Sequence, residues 1–248
     1  MTAEGDTMPI SLIRSAWAGS AKYGALVWSG DIVSTFECFR RQVQAGLNMA
    51  IAGIPWWTTD IGGFHGARTD DPDFHRLYIR WFEYGCFCPV MRLHGNRNPQ
   101  EGYGAEQIGS GSDNEIWSFG DKAYEISKKY IFLRERLRDY IRTQMKKAHE
   151  DGTPMMRPVF YDFPTDQESW NVEDAYLFGP DLYVAPVMED HVTEREVYLP
   201  DGTAWFNAWT GEKYEGGQNV TVAAPLDTIP VFVKEGADAE KLLNIFSE

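Results

Sequence analysis

Cysteine is scarce in this chain: three in 248 residues, two of them in Cys86-Phe87-Cys88. That excludes a disulfide framework, since residues one apart on a helix or strand are poorly placed to bridge, and all three read as buried thiols. Basic residues are also few, 23 Lys and Arg against 37 Asp and Glu, for a formal charge of -14. Such a balance leaves no electrostatic footprint for nucleic acid or an anionic membrane, and a neutral ligand fits it better. No run of about 18 apolar residues is present to span a membrane. Met1 to Asp6 lacks the basic and apolar parts of a signal peptide, so the cytoplasm is the default compartment, with the proviso that a secretion leader could be missing. No GxGxxG, Walker or GxSxG sequence occurs, which removes support for a nucleotide cofactor or a serine hydrolase. His65, His94, Cys86 and Cys88 fall into no familiar ligand spacing, so no metal and no other cofactor is expected. Aromatics, by contrast, are plentiful at 14% with nine Trp, and Trp faces suit the apolar faces of sugars.

Along the chain, strand and helix signals alternate up to residue 162. Strands are predicted over Ile10 to Ile13 and Tyr23 to Trp28, then a helix with Ser34 as cap whose stripe is Phe36, Phe39, Val43 and Leu47. The apolar run Ile51 to Asp60 ends in a carboxylate and the turn Gly62-Gly63. Asp71-Pro72 starts a second helix, with Phe74, Leu77, Tyr78 and Trp81 on its buried face. An extended run from Cys88 to Leu93 leads through His94 into a polar, glycine-rich loop over Gly95 to Ser112. One long helix follows, striped by Ile126, Tyr130, Leu133, Leu137, Ile141 and Met145, and Met155 to Tyr161 reads as one more strand. The pattern is that of a parallel α/β sheet. From Phe163 to Gly236 the signal changes to short apolar runs separated by Pro-Asp-Gly, Thr-Gly-Glu and Glu-Gly-Gly turns, as in an all-β sandwich. The expected division is therefore 1–162 and 163–248.

Function in parallel α/β folds gathers at the carboxyl ends of strands, and here four such ends carry Arg14, Asp31, Asp60 and His94. Asp31, just past Trp28-Ser29-Gly30, is placed to enter an aromatic setting where a carboxyl can hold its proton. It could equally cap the following helix. Asp60 could serve only the turn after it, and Arg14 and Arg92 could bind an anionic group or simply pair with Asp31 and Asp60. Two strand-end carboxylates among aromatics are the minimum for glycoside hydrolysis, which spacing alone leaves as one candidate among several.

The residues from Arg14-Ser15-Ala16-Trp17-Ala18-Gly19-Ser20 through Trp28-Ser29-Gly30-Asp31 resemble the acid/base region of glycoside hydrolase family 31, the α-glucosidases and α-xylosidases. Gly53-Ile54-Pro55, Asp60-Ile61-Gly62-Gly63-Phe64, Pro89-Val90-Met91-Arg92-Leu93-His94, Phe178-Gly179-Pro180-Asp181 and Ala185-Pro186-Val187 continue the likeness in order. The resemblance implies the carboxyl-terminal part of a (β/α)8 (TIM) barrel over 1–162, followed by a β-sandwich domain over 163–248. It implies action on terminal α-linked sugars with retention of configuration. Asp31 would then be the general acid/base. Arg14, Asp60, Arg92 and His94 would hold hydroxyls or set the charge around the innermost sugar, and Trp28 and Phe64 would wall it, with a contribution from Trp56 or Trp57.

The family's nucleophile is an Asp on an earlier barrel strand, and nothing before Arg14 matches its motif. The resemblance thus implies a chain that supplies the acid/base without the nucleophile, inactive alone, and that either self-associates or binds a chain carrying the missing amino-terminal half. A non-catalytic carbohydrate-binding or assembly subunit is the alternative. The wording Pro55-Trp56-Trp57-Thr58-Thr59-Asp60 looks closer to the α-xylosidases than to the α-glucosidases.

Overall fold

A computed structural model describes residues 10–101, 110–236 and 238–247. The reading of Met1 to Asp6 lies outside them, as does the part of the predicted glycine-rich loop over 102–109. The first half begins with three parallel strands side by side: β1 (Ser11–Ile13), β2 (Ala25–Trp28) and β3 (Trp57–Thr58). Ser11 pairs with Ala25 and Val27 with Trp57. Between β2 and β3 runs α1 (Phe36–Ile51), which buries Phe39, Val43, Gly46, Leu47 and Ala50. Gly46 is required there, because a Cβ would sit 2.7 Å from the Trp57 ring nitrogen. The helix is capped by Thr35, whose hydroxyl accepts from the Cys38 amide, and not by Ser34 or Asp31.

Helix α2 (Pro72–Cys86) starts as predicted, with Asp71 accepting from the Asp73 amide and Pro72 at the first position. It is buried on nearly every side, by α1, by the following helices and by the β domain. The run Cys88 to Leu93 forms no strand. It lies beside β3 with isolated bonds, Val90 N to Trp57 O at 3.2 Å and Ile61 N to Arg92 O at 3.2 Å, and Pro89 has no amide to offer a ladder. Within the predicted loop there is instead an antiparallel pair, β4 (Arg97–Glu101) with β5 (Ser110–Ser112). The long helix is two consecutive ones, α3 (Gly120–Arg136) and α4 (Arg138–Glu150), meeting at Leu137. The apolar stripe passes through that joint because Leu137 N still bonds to Leu133 O and Ile141 N to Leu137 O.

The strand predicted over Met155 to Tyr161 shrinks to β6 (Met156–Arg157) and pairs antiparallel with β7 (Tyr176–Phe178), so it belongs to the β domain's sheet and not to the parallel one. The rest of that domain follows the predicted turns: β8 (Leu182–Val184), β9 (Glu194–Leu199), β10 (Ala204–Asn207), β11 (Lys213–Glu215), β12 (Gln218–Ala223) and β13 (Val231–Lys234). Six strands form one sheet in the order β11-β10-β13-β8-β7-β6, and the antiparallel pair β9–β12 packs against it over Leu177, Tyr183, Val197, Leu199, Trp205 and Phe232. This is a partial (β/α)8 barrel followed by a sandwich. The other face of the six-stranded sheet joins the barrel's core. A last helix, α5 (Ala239–Ser247), which the sequence reading did not anticipate, inserts Phe246 between Phe87 and Trp209.

Polar side chains stitch the two halves together. Arg80 of α2 donates to the carbonyls of Val192, Ala224, Pro225 and Thr228 at 2.7 to 3.3 Å, and Tyr176 OH donates to Phe87 O at 3.0 Å. Within the first half, Arg134 of α3 gathers the carbonyls of Cys86, Cys88 and Pro89.

Candidate active site

Beyond the carboxyl ends of β2 and β3 the chain stays paired. Phe64 N donates to Ile32 O at 2.7 Å, Ser34 N to His65 O at 2.9 Å, and Asn96 N to Phe64 O at 2.6 Å. The loop after Asp31, the loop after Asp60 and the segment after His94 are thereby zipped into one layer. Gly63, at φ +79°, permits the closest approach: a Cβ there would lie 2.7 Å from Ser34 Cα. A ladder of this kind fixes side chains that project from it far better than free loops would.

Arg14, Trp28, Asp31, Asp60, Phe64, Arg92 and His94 converge on this layer. Arg14 approaches Asp31 at 3.5 Å between Nη2 and Oδ2. The guanidinium carbons of Arg14 and Arg92 lie 5.8 and 5.9 Å from the Trp28 ring, flanking it. Arg92 forms an ion pair with Oδ1 of Asp60, while Oδ2, also buried, has no hydrogen-bond partner among the described residues. Phe64 stands against His94 with ring centroids 5.5 Å apart. Burial pushes the Asp60 carboxyl above the ordinary carboxylate range, with the nearby Asp31 charge adding to the rise and Arg92 and His94 opposing it. The two arginines therefore take the pairing reading, and Asp60 is more than a turn residue.

Two expectations change. Asp31 is not enclosed by aromatics: its side chain is 47% exposed on the open side of the layer, where a ligand or further polypeptide can reach it. Trp57 is a core residue at 4% exposure, packed on Gly46, so of the two tryptophans only half-buried Trp56 is left near the surface.

Sequence reasoning missed Arg97. Placed by its polar neighbours in a loop, it is in fact wholly buried directly beneath the layer. The hint in the sequence was the room left by Gly62 and Gly95, which marks where something bulky must fit. Among the described residues, no group of three or more His, Cys, Asp or Glu is disposed to hold a metal ion.

Comparison with known sequences decides the family. The profile described as "Glycosyl hydrolases family 31 TIM-barrel domain" matches residues 1–144, and "Glycosyl hydrolase family 31 C-terminal domain" matches residues 152–237. The chain belongs to glycosyl hydrolase family 31. Among family 31 relatives, an alpha-xylosidase of Saccharolobus solfataricus is 39% identical over 228 residues, covering 92% of this chain and 29% of its own length. Alpha-glucosidase 2 of Bacillus thermoamyloliquefaciens is 35% identical over 233 residues, 92% of this chain and 27% of its own. The crystal structure of a GH31 alpha-xylosidase from a soil metagenome, complexed with xylose, superimposes with a TM-score of 0.93 at 53% identity, covering 98% of this chain and 37% of that one. The chain thus spans roughly a third of the length of such relatives, or less.

Proposed function

We propose that this chain carries the acid/base side of an α-glycosidase site whose terminal sugar is xylose, with glucose as the competing substrate. The observation that carries the reading is the convergence of Arg14, Trp28, Asp31, Asp60, Phe64, Arg92 and His94 on one layer, in family order. The identity of 53% to a xylose-bound relative favours the pentose.

In this reading Asp31 protonates the glycosidic oxygen as the bond to the aglycone breaks, then removes a proton from the water that attacks the anomeric carbon. Its exposure leaves the approach open. Arg14 holds the Asp31 charge in place between the two steps. Asp60 and Arg92, fixed by their ion pair, accept from and donate to sugar hydroxyls, with His94 beside them, and Trp28 and Phe64 give the ring its apolar walls. Asp60, paired through one oxygen with Arg92, keeps its other oxygen for a sugar hydroxyl. In this reading the nucleophile is the family's Asp on an earlier barrel strand, and without it the chain binds sugar but turns it over several orders of magnitude more slowly.

A second consequence concerns association. Among the described residues β1 has β2 as its neighbour and an open outer edge, with Ile10 and Leu12 exposed there. An edge of this kind takes up another strand. We expect the preceding strands of a family 31 barrel to fill it, or failing them a second copy.

Titration with xylose and with glucose, read by tryptophan fluorescence, tests the site. Binding of xylose that is lost in Asp60→Asn supports the reading. Equal indifference to both sugars overturns it.

A further inference from the structure

Arg97 makes no hydrogen bond to the side chains assigned to the sugar, yet it reaches the segments that follow Asp31 and Asp60 from its own place after His94. From its buried position Nε donates to Asn114 Oδ1 at 2.8 Å, Nη1 to Gly63 O at 2.8 Å and to Ser34 Oγ at 3.3 Å, and Nη2 to Ile61 O at 3.2 Å. Ser34 lies three residues past Asp31, Ile61 and Gly63 lie between Asp60 and Phe64, and Arg97 itself lies three past His94. The guanidinium rests 4.6 Å above the Phe74 ring of α2, which closes its underside. Space for it exists because two neighbours lack side chains: a Cβ on Gly95 would fall 2.5 Å from the guanidinium, and one on Gly62 would fall 3.1 Å from it.

Among the described residues no carboxylate lies within ion-pair distance of this cation. Its donors are spent on neutral acceptors of three separate segments, an arrangement that a rigid planar fork satisfies and a lysine cannot. Arg80, just as buried, spends its donors on the seam with the β domain and on Glu83. The contrast isolates what is particular to Arg97.

We propose that Arg97 is a positioning residue of the sugar site, a single guanidinium that sets the relative registration of the Asp31, Asp60–Phe64 and His94 segments and supplies a fixed positive charge beneath them. The proposal rests on the reading of this layer as a sugar site. The groups facing Asp60 are Arg92, His94 and Asp31, with Arg97 acting on it from below. Removal of the Arg97 charge makes Asp60 harder to ionise, so the acid limb of sugar binding moves to higher pH.

The experiment uses the whole chain and three variants, Arg97→Met, Arg97→Lys and Arg80→Met, each measured by xylose titration across pH and by amide hydrogen exchange. Arg97→Met is expected to weaken xylose binding about tenfold, on the order of one charge-assisted hydrogen bond. It also speeds exchange at the Ser34, Phe64, His65 and Asn96 amides while leaving β9 and β12 unchanged, and shifts the acid limb upward. Arg97→Lys restores the acid limb but not the affinity, a split that loss of packing alone does not produce. Arg80→Met lowers stability without changing xylose affinity. The proposal is overturned if Arg97→Met, or Arg97→Lys should the former not fold, binds xylose like the wild type with the same acid limb, or if exchange rises uniformly over the chain. Absence of xylose binding by the wild type, with exchange still rising locally in Arg97→Met, sinks the sugar-site reading and leaves the tie between the segments standing.

Discussion

Glu83 offers a test of how the two halves are joined. It sits on α2 with no exposed surface, accepting from Tyr130 OH at 3.2 Å and facing Arg80 Nη1 at 3.2 Å. Arg80 is shared with four backbone carbonyls, so its attraction does not offset the desolvation of Glu83, whose pKa burial pushes from 4.5 up to about 8. In the unfolded chain the same carboxyl ionises at its ordinary value. The stability that the protonated group contributes is therefore complete below pH 4.5 and is lost as pH rises towards about 8. Between those limits the loss runs at about 1.4 kcal/mol per pH unit, or about 2–3 kcal/mol from pH 5 to pH 7. Glu83→Gln keeps an acceptor for Tyr130 and removes the titration. Urea unfolding of both proteins at pH 5, 6 and 7 measures the difference, in which all other titrating groups cancel. The variant should gain on the wild type by that amount across the range. A gap that stays constant with pH would refute the assignment and mean that Glu83 is ionised in the folded protein.

Other substitutions probe other joints. Thr35→Ala removes the cap of α1 and should cost about 1 kcal/mol in urea unfolding. Gly63→Ala should cost at least about 1–3 kcal/mol, because the residue has φ +79° and a new Cβ meets Ser34 backbone; xylose affinity should fall with it. Trp205→Ala should destabilise the protein by about 3–5 kcal/mol, since Trp205 fills the sandwich core against Tyr183 and Phe163, with no direct effect on the sugar layer.

The sequence was legible where one periodicity or one turn chemistry dominated. Asp71-Pro72 located the start of α2, the stripe from Phe39 to Leu47 located α1, and the glycine turns at 202, 211 and 217 delimited the sandwich strands. It was misleading where neighbours override local pattern. Thr35 takes the cap because Ser34 is engaged with the adjoining loop, through its amide to His65 O and its hydroxyl from Arg97. The segment Cys88 to Leu93 is apolar enough for a strand, yet Pro89 interrupts its bonding to β3. Met156 and Arg157 pair with a strand twenty residues on, a partner choice that no local window contains. The motif residues Arg14, Trp28, Asp31, Asp60, Phe64, Arg92 and His94 lie together in the fold. Arg97 was not legible in the sequence, because its role lies in acceptors scattered over residues 34 to 114.

The acid/base assignment is tested most directly by combining this chain with a polypeptide carrying the earlier strands of a family 31 barrel and following nitrophenol release from the α-xyloside and the α-glucoside. The account predicts negligible release by either part alone, turnover by the mixture with the xyloside preferred, and its loss when the mixture is made with Asp31→Ala. Turnover that survives Asp31→Ala would contradict it.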